Sequence, residues 1–233
     1  MRKNNQYYVR KAHRWLGVII GVQFVFWTIS GLYFSWTDID EIHGDHFLKE
    51  AEAPALSAAV FRNLDSALII HSVSLRSIGD ESLLWVNDSL LIDPNTGETR
   101  NEISQTEAEK IAMSQVADQF ELERTELLSS VGAHHEYRGR PLPVWAIHFK
   151  GGDNLTAYVT QKDGSFQRVR HTSWRWFDFL WMFHTMDYQG RDDFNNLLLR
   201  AFSLFGLFTV GSGFTLFFIT GKKKRRKKKV NVK

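Results

Sequence analysis

Two long runs of the chain, residues 15–37 and 201–221, contain no charged side chain. Each is long enough, at about 1.5 Å per residue, to cross a hydrocarbon core of about 30 Å. The first closes on the aromatics Tyr33, Phe34 and Trp36, as a helix anchored at a membrane interface does. The second follows Arg200, whose long stem can snorkel to the headgroups, and stops at "GKKKRRKKK". The pattern predicts transmembrane helices over 15–37 and 196–220. A cleaved signal peptide is the competing reading of the first. Its apolar run is too long for a usual signal core, and "YFSWTDID" offers no small-residue cleavage site.

Between these runs the pattern shortens. The stretch "AEAPALSAAVFRNLDSALII" turns amphipathic and predicts a helix over about 57–68. "SVSLRSIG", "SLLWVN" and "SLLID" alternate as short strands do, with Asn87-Asp88 suited to a tight hairpin turn and Gly97 to the left-handed position of the next turn. A second helix follows in "SQTEAEKIAMSQVADQF". It has a capping-box spacing at Thr106 and Glu109, and Ala108, Ile111, Ala112 and Val116 on one stripe. Then come four more strand-like segments, "LLSSVGAH", "VWAIHFK", "LTAYVTQ" and "SFQRVRH", the last three joined by Gly151-Gly152 and Asp163-Gly164. Helix then strands, twice over, predicts two similar α+β units across residues 38–172.

Residues 173–195 fit neither pattern. Six aromatics fall within ten positions (Trp174, Trp176, Phe177, Phe179, Trp181, Phe183), interrupted by Arg175 and Asp178 and followed by His184. On a helical wheel Arg175, Asp178, Thr185 and Gln189 share one face, with His184 nearly opposite Arg175. That predicts an amphipathic helix lying along the membrane surface and feeding the second span through a polar turn.

Charge sets the orientation. Five Lys/Arg and no acid precede Trp15, nine Lys/Arg and no acid follow Gly221, and all 26 acids lie between. Excess Lys/Arg marks the cytoplasmic side. Residues 1–14 and the basic tail 221–233 are therefore expected in the cytoplasm of a bacterial cell, with 38–172 in the periplasm. Beside a span, the tail reads as a charge anchor on the lipid bilayer, and no nucleic-acid partner is expected. The absence of cysteine excludes disulfides, thiol catalysis, thiolate metal sites and covalent c-type haem attachment.

The two Trp-bearing strand pairs, "LLWVNDSLLIDPNTGE" and "VWAIHFKGGDNLTAYVTQKDGS", resemble the PepSY family, whose small domains pack a helix on an antiparallel sheet. The flanks are similar to the PepSY-associated transmembrane group. "HRWLG" opens its first span, "SG" stands near that span's exit, and "LWMFHTMDYQGRDDFNNLLLR" followed by "GLFTVGSGFTLFF" leads into and forms its second. The resemblance implies an α+β fold of two PepSY-like helix-plus-antiparallel-sheet units flanked by two transmembrane helices. Larger members carry four or more spans, hold b-type haem between histidines and act as siderophore-iron reductases. With two spans here, a homodimer would restore a four-helix arrangement.

Candidate chemistry rests on histidines. His184 on an apolar face needs a partner, because an unpaired buried imidazole is costly. An acceptor such as Asp187, a metal and a haem iron are all open. His13 occupies the "HRWLG" position, which by resemblance is a candidate haem ligand. His13 and His184 lie at opposite membrane faces and cannot bind one haem in one chain. His43 and His46, spaced i,i+3 among acids, form a weaker divalent-metal candidate that Gly44 disturbs. His134, His135 and Glu136 fall in a loop marked by Gly139 and Pro141. No nucleophile elbow, phosphate loop or dinucleotide fingerprint occurs, so no catalytic residue is expected. Gly17 and Gly21 have small-xxx-small spacing for helix packing, within the chain or between two copies. Two functions follow as expectations: a membrane-anchored module that binds or regulates a periplasmic partner, or a b-type haem electron-transfer subunit.

Overall fold

The computed structural model describes residues 5–50, 64–79 and 81–230. It divides into a helical unit, Met1–Trp36 with Asp178–Lys233, and a sheet unit, Thr37–Phe177.

The helical unit is built on α1 (Asn5–Trp36) and a long C-terminal helix, Leu197–Val230. Both charge-free runs are helical, and two stretches have the length and composition to cross a membrane, Tyr7–Trp36 and Leu197–Ile219. Each helix outruns its charge-free run, because Lys, Arg, Gln and Ala are good helix formers and nothing beside the apolar stretch stops the backbone. The two helices pack antiparallel. A Cβ on Gly206 would lie 3.5 Å from the Phe24 ring, and one on Gly213 would lie 3.4 Å from His13. Added Cβ atoms on Gly17, Gly21 and Gly211 would meet nothing within 4 Å. Gly206 and Gly213 thus face α1 at ordinary contact distance, and the other three face open space.

In the sheet unit, α2 (Ile39–His43) is followed by a single 3-10 turn, Asp45–Phe47. Four strands then pair sequentially and antiparallel: β1 (Val73–Ile78), β2 (Glu81–Val86), β3 (Leu90–Ile92) and β4 (Thr99–Arg100). After α3 (Gln105–Gln115) a second antiparallel four-stranded sheet repeats that order with β5 (Glu121–Leu128), β6 (Val144–Lys150), β7 (Thr156–Thr160) and β8 (Phe166–Arg170). The helix α4 (Thr172–Thr185) leads back to the helical unit, and α5 is the C-terminal helix Leu197–Val230.

One core joins Leu83, Trp85 and Leu91 of the first sheet, Ile111 of α3, and Ile147 and Val159 of the second. Leu84, Val86 and Ile92 are buried on the other face of the first sheet. Strand β2 is therefore buried on both faces, which is why "LLWV" is an unbroken apolar run. The opposite face of the second sheet is closed by Tyr137, which stacks on Tyr158 with ring centroids 4.6 Å apart. Asn87 and Asp88 both adopt φ of 53°, the conformation of a two-residue hairpin turn, as the pattern predicts.

Several expectations shift. Most of the 57–68 helix lies outside the described residues. The part inside forms a turn, in which Leu68 N–H donates to the Asp65 carbonyl at 3.0 Å and Ala67 N–H to its carboxylate at 2.9 Å. The capping box is Ser104 with Glu107, not Thr106 with Glu109, so α3 begins earlier than expected. Glu107 also pairs with Arg100, which favours the earlier register. The strand expected at "LLSSVGAH" forms instead at β5. There exposed Glu121, Glu123, Arg124 and Glu126 dilute the apolar alternation, because the strand edges its sheet.

Candidate functional site

Helix α4 ends at Thr185, where Met186 takes φ of 55°. The last carbonyls of a helix have no intrahelical donor, and inside a bilayer they need protein partners. Here α1 supplies them. Gln23 Nε2 donates to the Phe183 carbonyl at 3.0 Å, and Trp27 Nε1 donates to the His184 carbonyl at 2.9 Å. Asn196 Nδ2 donates to the Thr185 carbonyl at 2.9 Å. Gln23, Trp27 and Ser30 stand at i, i+4 and i+7, one stripe of α1. Gln23 and Ser30 are both buried, the polar side chains that a span can hold only where they have work to do.

The wheel expectation for α4 is corrected in one respect. Its polar side faces inward, with Asp178 and Thr185 buried, while Trp176 and Phe179 are exposed, as suits contact with lipid. Gln189 lies beyond the helix. The turn between α4 and α5 is organised by Asp187. Its Oδ1 accepts from the N–H groups of Gln189 and Gly190, and its Oδ2 from those of Asp192 and Asp193, at 3.0 to 3.2 Å. Burial works against the charge, but these four donors outweigh it and hold the carboxyl below its ordinary value. A buried ion pair between Arg191 and Asp178 completes the turn.

Among the described residues, His184 pairs with neither Asp187 nor another carboxylate. Its Nδ1 lies 2.8 Å from Ser30 Oγ, and its ring sits edge-on to Phe34 and parallel to Trp181. At the other end of α1, His13 Nδ1 lies 2.7 Å from Ser212 Oγ of α5. Both histidines therefore use Nδ1 on the serine of a Ser-Gly step in a neighbouring helix, Ser30-Gly31 or Ser212-Gly213. Neither Nε2 makes a hydrogen bond among the described residues. Seventeen residues separate His13 from Ser30, roughly 25 Å along the helix, so the two imidazoles occupy separate places. An open apolar recess lined by Val210, Gly213, Phe214, Phe217 and Phe218 adjoins His13.

His43 and His46 do not form the helical i,i+3 pair. Gly44 adopts φ of 89° and ends α2, which leaves both imidazoles exposed on different elements. Among the described residues no group of three or more His, Asp or Glu could hold a metal ion. His135 accepts the Tyr137 N–H, and Glu136 accepts from Arg175 and from the Tyr158 hydroxyl at 2.6 Å, so that loop is a structural clasp. The Ser-Gly steps enter the sequence reading only as family motifs, not as histidine partners, and Gln23 and Trp27 do not enter it as functional residues. The available signal was a polar residue in an otherwise apolar span.

The model of the PepSY-associated TM region matches residues 10–232. The chain belongs to that family. It is a PepSY-associated protein carrying two apolar helices that anchor it to a membrane. Comparison with curated proteins and with solved structures returned no match.

Proposed function

We propose that this PepSY-associated protein is an electron-transfer subunit of the bacterial inner membrane that holds b-type haem through His13 and His184. One observation carries the reading: two histidines near the two ends of α1, each fixed through Nδ1 by a serine and each with Nε2 left over. A haem-ligating imidazole has that arrangement, with one nitrogen on the metal and the other in a hydrogen bond that orients the ring. The surroundings suit a porphyrin. The recess beside His13 is apolar, and Phe34 and Trp181 flank His184. Haem bound there supplies one-electron ferric–ferrous chemistry.

A second axial ligand must come from elsewhere, because roughly 25 Å separates the two histidines. A homodimer places like histidines across its two-fold axis, His13 against His13 and His184 against His184. Open Gly17, Gly21 and Gly211 support close approach of a second copy. The basic ends at residues 1–14 and 221–233 support an orientation with both termini in the cytoplasm and the sheet unit in the periplasm. A ferric complex there is the acceptor, as the family resemblance to siderophore-iron reductases implies.

The visible spectrum of the detergent-purified protein tests this. A dithionite-reduced b-type band is expected that falls by about half in His13→Ala or in His184→Ala and disappears in the double variant. Protein that stays colourless when haem is supplied during expression overturns it.

The alternative, a module that binds a periplasmic protein, draws support from strand β1. It edges its sheet, and Ile69, Ile70 and Val73 are exposed beside it. Crosslinking from a photoreactive residue at Val73 in cells tests this: a discrete adduct supports it, and none overturns it.

A further inference from the structure

The two serines do more than touch the histidines. A hydroxyl carries one proton and two lone pairs, and a backbone carbonyl can only accept. Ser30 Oγ lies 2.8 Å from the Phe26 carbonyl and 3.2 Å from that of Trp27. Ser212 Oγ lies 2.8 Å from the Thr209 carbonyl. In both places the serine proton is committed to the preceding turn of its own helix. Giving it to the imidazole instead would leave two oxygen lone pairs facing each other at 2.8 Å. The serine therefore offers a lone pair to Nδ1, and Nδ1 must carry the hydrogen.

We infer that Ser30 and Ser212 are positioning residues that hold His184 and His13 as Nδ1–H tautomers, each presenting an unprotonated Nε2 to an incoming iron. This use rests on the proposed haem function, but the tautomers belong to the empty chain. They are also not what water selects, since a free imidazole side chain favours the Nε2–H form. Unassisted, the favoured tautomer carries its proton on the nitrogen that must bind iron. Gly213 lies beside one of these sites, where an added Cβ would stand 3.4 Å from the His13 ring. The same logic applies at both ends of α1, where each pair joins a histidine to the Ser-Gly step of another helix.

The consequence for bound iron is directional. A ligand imidazole that donates through Nδ1 is more electron-rich and favours ferric iron. Removing the serine oxygen therefore shifts the midpoint potential of the affected site to more positive values.

The test is nitrogen-15 NMR of the full chain, labelled at histidine and reconstituted in bilayers without haem. Signals are assigned by the single variants His13→Gln and His184→Gln. The expected result is Nδ1–H for both residues at neutral pH. Ser212→Ala should convert His13 to the Nε2–H form and leave His184 unchanged, and Ser30→Ala should do the reverse. Ser212→Thr, which keeps the hydroxyl, should restore Nδ1–H. Wild-type histidines in the Nε2–H form, or tautomers indifferent to both alanine variants, overturn the inference. Colourless protein with the expected tautomers supports the serine role while sinking the haem reading. A haem protein with unaltered tautomers does the opposite.

Discussion

Arg76 on β1 and Asp163 on the β7–β8 turn form an ion pair that ties one sheet of the PepSY-like unit to the other, with Nη2 and Nε of Arg76 at 2.8 and 2.9 Å from Oδ2. Asp163 is largely buried and also accepts from Thr160 Oγ1 and from the Ser165 N–H and hydroxyl. Desolvation pushes its pKa up, but hydrogen bonds from Thr160, Arg76 and Ser165 prevail and keep the carboxyl below its ordinary value.

The two partners are therefore unequal. Asp163→Ala removes the acceptor for every one of these donors and strands a partly buried guanidinium, for an expected loss of about 3 kcal/mol. Arg76→Met leaves Asp163 with Thr160 and Ser165, for an expected loss of about 1 kcal/mol. Chemical unfolding followed through the sheet unit distinguishes them; equal losses would contradict the account. The wild-type contribution is complete above the unfolded pKa and is lost only as pH falls through the lower folded value, so no change is expected between pH 7 and 5.

His171 titrates in a different window. It is buried at the end of β8, its Nε2 lies 3.1 Å from the Ile42 carbonyl, and Phe47 and His46 pack on its ring. Desolvation lowers its pKa, outweighing the Ile42 hydrogen bond. The unfolded chain then binds the proton first, so stability is full above about pH 6.5 and falls as pH drops toward the folded value. Hydrogen exchange over residues 42–48, corrected for intrinsic rates, should quicken between pH 7.5 and 5.5. His171→Phe should remove that dependence, and a dependence that persists would place the titration elsewhere.

What could be read in advance follows from the range of each interaction. Charge-free runs mark α1 and α5, and "LLWV" and Asn87-Asp88 mark a strand and its turn, because the causes lie within a few residues. The start of α3 was ambiguous for a local reason: two capping spacings overlap, Ser104 with Glu107 and Thr106 with Glu109. Arg100 helps decide between them. Strand β5 was displaced because its exposed charges hide an edge strand. The partner of His184 was illegible because Ser30 stands 154 residues away. Nothing near His184 announces a hydroxyl on another helix.

The Asp187 turn depends on acceptor capacity rather than on side-chain volume. Asn is nearly isosteric, yet one of its two terminal positions becomes a donor facing the N–H groups of its neighbours. Asp187→Asn should therefore cost about as much as Asp187→Ala, at least about 2 kcal/mol in either case. Proteolytic cleavage between residues 187 and 193, measured in nanodiscs, should rise in both variants. Protection in the asparagine variant equal to wild type would show that shape alone holds the turn.

The stripe on α1 has a sharper consequence, because it closes the end of α4 beside the candidate ligand His184. Gln23→Leu deprives the Phe183 carbonyl of its donor, and Trp27→Phe does the same to the His184 carbonyl. Each buried acceptor left unpaired costs about 1–3 kcal/mol. The two donors serve adjacent carbonyls, so the double variant should lose less than the two single losses combined, since one unravelling event releases both. Hydrogen exchange over residues 181–187 in nanodiscs reads this directly. It should accelerate in each single variant while the core strands β6 and β7 stay protected. Uniform acceleration across both units would mean that Gln23 and Trp27 support the whole chain rather than the end of α4.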